Sequence, residues 1–162
     1  MIRPITSGDG REILEIYQLG LEGRNATFET QVPNWKDWQE KFHEHSRLAY
    51  IENEKLIGWA AITPFSKREV YQGVAELSIY VHPEHSGKGI GSQLMEALIA
   101  SSEDNGIWTL FSSVFPENKA TIRLHQKFGF RLMGRRERIA RLDGIWRDTL
   151  IFERRSTKVG TD

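Results

Sequence analysis

A strand followed at once by a glycine-rich turn and an amphipathic helix constrains this chain more than any other feature. The strand reads VAELSIYV and the turn reads HPEHSGKGIG. One face of the following helix carries the apolar side chains Ile90, Leu94, Met95, Leu98 and Ile99. Gly87, Gly89 and Gly91 leave backbone N–H groups uncovered at the positive end of the helix. The unit can therefore hold an anionic group such as a pyrophosphate.

The glycine spacing in this turn does not match the two common nucleotide-binding motifs. A P-loop reads G-x-x-x-x-G-K-[ST], and no such string occurs in the chain. The dinucleotide-binding spacing G-x-G-x-x-G also fails, because Gly91 falls a residue early. A tight turn that only packs a helix against its strand remains the alternative to an anion site.

The other segments predict strands and helices in an irregular alternation. Further strands are predicted at MIRPIT, RLAYIE, KLIGWAAITP, IWTLFSSVF, GFRLMGRRERIARL and IWRDTLIFE. Ser7 or Asp9, Asn34 and Asn118 can cap three more helices. Asn53-Glu54 and Asp143-Gly144 predict tight hairpin turns. The order β-α-α-β-β-β-α-β-α-β-β predicts an α+β fold, with a mixed, mostly antiparallel central sheet flanked by helices.

The charge balance argues against two classes of partner. The chain has 162 residues, with 22 basic and 22 acidic side chains. A net charge of zero gives no general attraction to nucleic acid or to an anionic membrane. No apolar run is long enough to span a membrane, and the first residues do not resemble a secretory signal. We expect one cytoplasmic domain over residues 1–155 and a tail at 156–162, with no nucleic-acid or membrane partner.

The cysteine and histidine content limits the chemistry. The chain has no cysteine, so a thiol nucleophile and Cys-ligated zinc are excluded. His43 and His45, or His82 and His85, could each supply two metal ligands, but neither pair has a third ligand at a persuasive spacing. We expect no metal, so oxygen, nitrogen and backbone groups must carry any catalysis.

Four strings in the chain resemble motifs of the GNAT acyl-CoA N-acyltransferases. They are ATFET, VAELSIYVHPEHSGKGIG, NKATIRLHQKFGF and DGIWRD. Their order and spacing are similar to the branch of phosphinothricin and methionine sulfoximine or sulfone acetyltransferases. Ser86 stands where the family usually has Arg or Gln, and His125 stands where many members have a Tyr. The resemblance implies transfer of acetyl from acetyl-CoA, the co-substrate, to the α-amine of a small amino-acid-like acceptor of the phosphinothricin, methionine sulfoximine or methionine sulfone type. It also implies a sheet splayed at the acyl-CoA site and a homodimer.

The same resemblance implies which residues bind acetyl-CoA. Backbone groups of Ile79, Tyr80 and Val81 would contact the pantetheine arm and the thioester. Asn118 would bind the pantetheine or the acceptor, and Lys127 would reach the cofactor peripherally. The pyrophosphate would lie on Gly87, Lys88, Gly89, Ile90, Gly91 and Ser92.

Acceptor recognition is expected from loops at the open side of the sheet. Arg68 could clamp an acceptor carboxylate, or it could belong to a solvated charge run. Trp146 lies in one of the family-like strings, or it could simply pack in the core. The expected acceptor residues are Phe28, Glu29, Arg68, Glu69, Val70, Tyr71 and Trp146.

Glu76 and His125 are the candidate catalytic residues. An α-ammonium group must lose a proton before it attacks, and Glu76 lies on the strand expected to bind the thioester. An edge-facing or Arg-paired glutamate is the alternative. His125 could protonate the departing thiolate, or it could be a hydrogen-bonded helix histidine. Because no cysteine can carry an acyl group, we expect direct transfer in a ternary complex.

Other functions stay open at this point. The acceptor could be an amine of a protein, a polyamine or an aminoglycoside, and an acidic groove would favour such cationic substrates. An Arg-bearing pocket would favour amino acids. The chain could also be a noncatalytic acyl-CoA-binding sensor, and a plain nucleotide-binding module is a third alternative.

Overall fold

A mixed sheet of seven strands runs through the computed structural model, which describes residues 1–162. Every neighbouring pair of strands is antiparallel except β4 and β5, in the order β1-β2-β3-β4-β5-β7-β6. The α+β class with a mostly antiparallel sheet is confirmed. The strands are β1 (Ile2–Pro4), β2 (Leu48–Glu52), β3 (Lys55–Pro64), β4 (Val74–Val81), β5 (Thr109–Val114), β6 (Arg131–Leu142) and β7 (Ile145–Arg155).

Four helices flank the sheet and divide the core into two layers. They are α1 (Gly10–Glu22), α2 (Trp35–Lys41), α3 (Ile90–Asp104) and α4 (Lys119–Lys127). Side chains of β3 alternate between the layers: Trp59 and Ala61 pack with α1 and α2, whereas Ala60 and Ile62 pack with α3. The longest helix, α3, has 15 residues, and none of the four is long and apolar enough to cross a membrane.

The turns and caps that position these elements are those that the sequence indicates. The side chain of Asn34 accepts a hydrogen bond from the backbone N–H of Asp37 at 2.8 Å, which caps α2. Asn118 caps α4 in the same way at 3.2 Å. Between β6 and β7, Asp143 and Gly144 have φ values of 50° and 77°, as a type I′ turn requires. These predictions are confirmed.

The sheet opens between β4 and β5. The two strands pair only where Val74–Glu76 lies beside Thr109–Phe111. Beyond that point Leu77–Val81 pairs only with β3, and Ser112–Val114 pairs only with β7. Alternate backbone groups in an antiparallel pair point away from the partner strand. Backbone donors and acceptors of Leu77–Val81 therefore face the gap, which is the splay that the resemblance implies.

Part of the expected tail folds back onto the domain. The Ser156 hydroxyl donates to the Glu103 carboxylate on α3 at 2.8 Å. The Arg155 guanidinium donates to the carbonyls of Val159 at 2.7 Å and Gly160 at 2.6 Å. Residues 156–160 are thus hydrogen-bonded to α3 and to the end of β7.

Candidate active site

A cavity of about 830 Å³ occupies the gap between β4 and β5. Its walls come from the end of β4, the glycine turn, the end of β5, α4, and the loop that follows α1. This size lies in the range of small-molecule sites. The expected site residues that line it are Phe28, Glu29, Glu76, Ile79, Tyr80, Val81, Gly87, Gly89, Ile90, Gly91, Ser92, Asn118, His125 and Lys127.

Two backbone positions fix the shape of the glycine turn. Gly87 and Gly89 have φ values of 77° and 79°, and Gly89 is the N-cap of α3. A Cβ at either position would meet nothing within 4 Å, so conformation and not space requires glycine here. At the edge of the turn the Lys127 ammonium donates to the Ser92 hydroxyl at 3.3 Å. The turn thus leaves the positive N-terminal end of the 15-residue helix α3 exposed to the cavity, with the Lys127 ammonium nearby.

Glu76 has no hydrogen-bond or ion-pair partner in the structure, although it is half-buried on β4 and lines the cavity. Burial raises its pKa above the ordinary value, and the nearby carboxylate of Glu29 adds to the increase. The charges of Lys41 and Arg136 oppose this shift without bonding to Glu76. The Arg-paired alternative is therefore not observed. A carboxylate whose pKa is raised accepts a proton more readily than an ordinary one.

A second polar group in the cavity joins α1, α2 and the loop between them. The Tyr17 hydroxyl donates to one oxygen of the Glu29 carboxylate. The Lys41 ammonium donates to the other oxygen at 2.9 Å and to the Tyr17 hydroxyl at 3.3 Å. Burial and the hydrogen bond to Glu29 raise the pKa of Tyr17, so the phenol stays protonated. Glu29 is therefore fixed in place by two donors.

Tyr17 and Lys41 are site residues that the sequence did not reveal. Tyr17 belongs to the apolar stripe of α1, and its hydroxyl gave no signal apart from that stripe. Lys41 ends α2, where a basic residue is ordinary. Only the contact of both with Glu29, which lies 12 residues from each, places them in the site.

The Tyr80 ring packs beside the polar group of Tyr17, Glu29 and Lys41. Its ring centroid lies 4.9 Å from that of Tyr17 and 5.0 Å from that of Trp59. On α1, a Cβ at Gly20 would lie 2.5 Å from the Tyr80 ring. Glycine is therefore required here for space, because α1 approaches β4 too closely for a methyl group. The contact fixes β4 against α1 at the point where the cavity begins.

The His125 ring is buried on α4, where it is 2% exposed and contacts Phe130 and Phe152. Its Nδ1 lies 2.7 Å from the Thr121 carbonyl, so that nitrogen carries the hydrogen. Nε2 has no partner. Burial lowers the pKa of His125, which makes the neutral ring the resting form. Any exchange of a proton must therefore use Nε2.

Six expected site residues do not line the cavity. Lys88 lies in the glycine turn, but it is exposed and outside the cavity wall. Arg68, Glu69, Val70 and Tyr71 form a short turn before β4 begins, whereas the glycine turn follows the end of β4.

The short turn before β4 is stabilised by its own contacts. The Arg68 guanidinium lies 5.2 Å from the Tyr71 ring centroid instead of facing the cavity. The Tyr71 ring in turn packs on Phe65, with 5.4 Å between centroids. Within one chain this turn does not line the cavity, so a role of its residues in acceptor recognition stays a prediction.

Trp146 is neither in the cavity nor in the core. It is 43% exposed on β7, and the Arg141 guanidinium lies 4.6 Å from its ring centroid. Side chains alternate along a strand, so the next residue, Arg147, points to the opposite side of the hairpin. Arg147 donates to the backbone carbonyl of Arg24. The string DGIWRD thus contacts the loop of the site through Arg147 and through Asp143, whose carboxylate lies 3.2 Å from the Arg24 guanidinium, and not through Trp146.

Comparison with known proteins places these features in a family. The model of the acetyltransferase (GNAT) family matches residues 11–130. An L-methionine sulfoximine/L-methionine sulfone acetyltransferase of Pseudomonas aeruginosa is 31% identical, over 94% of this chain and 92% of that protein. A phosphinothricin N-acetyltransferase of Streptomyces coelicolor is 26% identical over 94% of each chain.

The solved structures give the same result. The crystal structure of a phosphinothricin acetyltransferase from Sinorhizobium meliloti, in complex with acetyl-CoA, superposes with a TM-score of 0.91. That protein is 26% identical, and the match covers 100% of this chain and 91% of the other. The family model spans most of the sheet and both helices beside the cavity. The chain therefore belongs to the acetyltransferase (GNAT) family and is an N-acetyltransferase.

Proposed function

We propose that this enzyme transfers acetyl from acetyl-CoA to the α-amine of a small amino-acid-like acceptor of the phosphinothricin, methionine sulfoximine or methionine sulfone type. One observation carries the proposal: an unpaired, half-buried carboxylate, Glu76, lines the same cavity as the glycine turn. Relatives named for acetylation of these amino-acid analogues support the choice of acceptor.

The residues of the gap fit the parts of acetyl-CoA. The pyrophosphate would rest on the turn from Gly87 to Ser92, where backbone N–H groups and the α3 N-terminus favour negative charge. The pantetheine arm would extend along Ile79–Val81, whose outward backbone groups have no partner strand. Lys127 would lie at the edge of the phosphate site, and Asn118 would lie beside the arm.

The residues at the other end of the cavity would carry the chemistry. The Glu76 carboxylate would take a proton from the acceptor ammonium, directly or through water, which leaves a neutral amine. The amine nitrogen then bonds to the thioester carbon while the carbonyl π electrons move onto oxygen, and a backbone N–H of β4 would stabilise that oxyanion. Removing such a donor costs about 3 kcal/mol in other enzymes. The nitrogen, now positively charged, loses its second proton to water.

The last step breaks the carbon–sulfur bond and releases CoA thiolate. His125 is the proposed proton donor: the neutral ring would first take up a proton at Nε2, because Nδ1 is held by the Thr121 carbonyl, and would then pass that proton to the thiolate. Its lowered pKa makes the protonated ring a strong acid that is scarce at neutral pH. The chain has no cysteine, so both substrates would bind together and the acetyl group would pass directly between them.

The experiment is the release of free CoA thiol from acetyl-CoA with a panel of amines. The panel contains phosphinothricin, methionine sulfoximine, methionine sulfone, free amino acids, spermidine, an aminoglycoside and a generic peptide. Saturable release with the amino-acid analogues is the expected result. Release with spermidine, the aminoglycoside or the peptide alone would contradict the proposed acceptor class. Tight binding of acetyl-CoA without release for any amine would instead support the sensor alternative.

We also propose that the enzyme is a homodimer. β6 is an edge strand, and apolar side chains of the β6–β7 hairpin are exposed, including Leu132 at 57% and Ile145 at 66%. Exposed apolar side chains at a sheet edge are typical of an interface. Sedimentation at micromolar concentration should show a dimer, and a monomer alone would contradict the proposal.

A further inference from the structure

The loop between α1 and α2 has no regular secondary structure, yet it brings Phe28 and Glu29 to the cavity. We name residues 24–29 the acceptor wall. A segment without helix or strand pairing depends on side chains from elsewhere for its conformation. The contacts that hold the acceptor wall therefore decide the shape of this end of the cavity.

Arg147 on β7 contacts the first residue of the acceptor wall and two residues beside the wall. One end of its guanidinium donates to the Arg24 carbonyl at 2.6 Å. The other end donates to the Glu117 carboxylate at 3.1 Å. The guanidinium lies 3.7 Å from the ring centroid of Phe115, and the side chain is only 17% exposed. Arg147 does not line the cavity, so it does not contact a substrate there.

A second donor holds the next residue of the acceptor wall. The Asn118 amide donates to the Asn25 carbonyl at 3.0 Å, while its oxygen caps α4. Two consecutive carbonyls of the wall are thus bound to β7 and to the N-cap of α4. The Phe28 ring packs edge-on against Phe115, with 5.0 Å between centroids. Phe115 therefore contacts the Arg147 guanidinium and the aromatic residue of the wall at once.

We propose that Arg147 is a positioning residue for acceptor binding, which holds the acceptor wall against Phe115 and the start of α4. The inference rests on the proposed function, because it assumes that the acceptor binds beside Phe28 and Glu29. The planar fork of arginine can donate in two directions while it stacks on a ring, and the ammonium of lysine cannot. Residue 147 therefore needs the planar guanidinium of arginine for this role, and not only a positive charge.

The first test is kinetic and uses the full chain. Arg147→Met keeps the aliphatic stem and removes every donor. We expect the KM for methionine sulfoximine to rise about tenfold, the ratio that corresponds to roughly 1.4 kcal/mol. We expect kcat to change less and the Kd of acetyl-CoA to stay the same. Arg147→Lys should restore only part of the loss. Arg131→Met, which removes an exposed ion pair with Glu153 on the same hairpin, is the control and should leave all three constants unchanged.

The second test is hydrogen exchange of the free enzyme, which needs no acceptor. Amides of residues 24–29 should exchange about tenfold faster in Arg147→Met than in wild type, whereas Arg131→Met should show no change. Unchanged exchange in Arg147→Met would overturn the inference. Faster exchange with an unchanged acceptor KM, or an equal weakening of acetyl-CoA binding, would also overturn it. If wild type acetylates no amine in the panel, the proposed function fails, and exchange alone decides whether Arg147 holds the wall.

Discussion

Replacement of Glu76 by glutamine tests the proposed base with little disturbance of the structure. Glutamine has nearly the shape of glutamate, and Glu76 has no hydrogen bond or ion pair that the change could break. Burial raises the pKa of Glu76 above 4.5, so the folded state loses stability as pH rises through that pKa. Glu76→Gln avoids this loss. We therefore expect the free energy of unfolding at neutral pH to be unchanged or higher.

The effect on catalysis should be large. A positioned general base contributes roughly 100- to 10,000-fold to a rate, or about 2.7 to 5.4 kcal/mol of transition-state stabilisation. We expect kcat/KM for the acceptor to fall within that range, while the Kd of acetyl-CoA changes less than about twofold. In wild type, kcat/KM should decrease as pH falls through the raised pKa of Glu76. In Glu76→Gln this acidic limb should be absent.

The assay is CoA thiol release with methionine sulfoximine over a range of pH, with calorimetric titration of acetyl-CoA alongside. Glu96→Gln is the matched control, since Glu96 is exposed on α3 away from the cavity wall and the change removes the same charge. Turnover of Glu76→Gln within threefold of wild type, or an unchanged acidic limb, would refute the assignment of Glu76 as the base.

Three further predictions follow from single contacts. Gly20→Ala should lower the free energy of unfolding by about 1 to 3 kcal/mol in urea titrations through overpacking, whereas Gly23→Ala, with no atom nearer than 3.5 Å, should not. Gly89→Ala and Gly106→Ala should each cost about 1 to 2 kcal/mol, because both positions have positive φ, but only Gly89→Ala should weaken acetyl-CoA binding in calorimetry. Burial lowers the pKa of His125 below 6.5, so stability should decrease as pH falls below that value, and His125→Asn should flatten this slope. Equal stability for Gly20→Ala and Gly23→Ala, equal acetyl-CoA binding for Gly89→Ala and Gly106→Ala, or an unchanged slope for His125→Asn would contradict the corresponding prediction.

Local signals in the sequence predicted the elements around the cofactor site. The period of the apolar residues in α3, the glycines before it and the cap at Asn118 all act within a few residues of chain. The Asp143-Gly144 turn is likewise specified by two adjacent residues that tolerate positive φ. Features of this kind depend only on neighbouring residues, so they could be predicted from the sequence, and the structure contains them.

The acceptor end of the cavity could not be predicted in the same way. The bonds from Tyr17 and Lys41 to Glu29 join residues that are far apart in the chain and lie on three different elements. Arg147 contacts a carbonyl 123 residues away. The Arg68 side chain contacts the Tyr71 ring, and this contact sets its direction. The charged residues around Arg68 in the sequence do not indicate that contact. Side-chain direction and long-range contacts decide this region, and neither has a periodic signature.

The identity of the acetylated product tests the central claim most directly. The enzyme would be incubated with acetyl-CoA and an equimolar mixture of phosphinothricin, methionine sulfoximine, methionine sulfone, spermidine and a generic peptide, and the products would be identified by mass spectrometry. We expect N-acetylation at the α-amine of the amino-acid analogues, and loss of that product in Glu76→Gln. Acetylation of spermidine or the peptide in preference, or undiminished product in Glu76→Gln, would contradict the central claim.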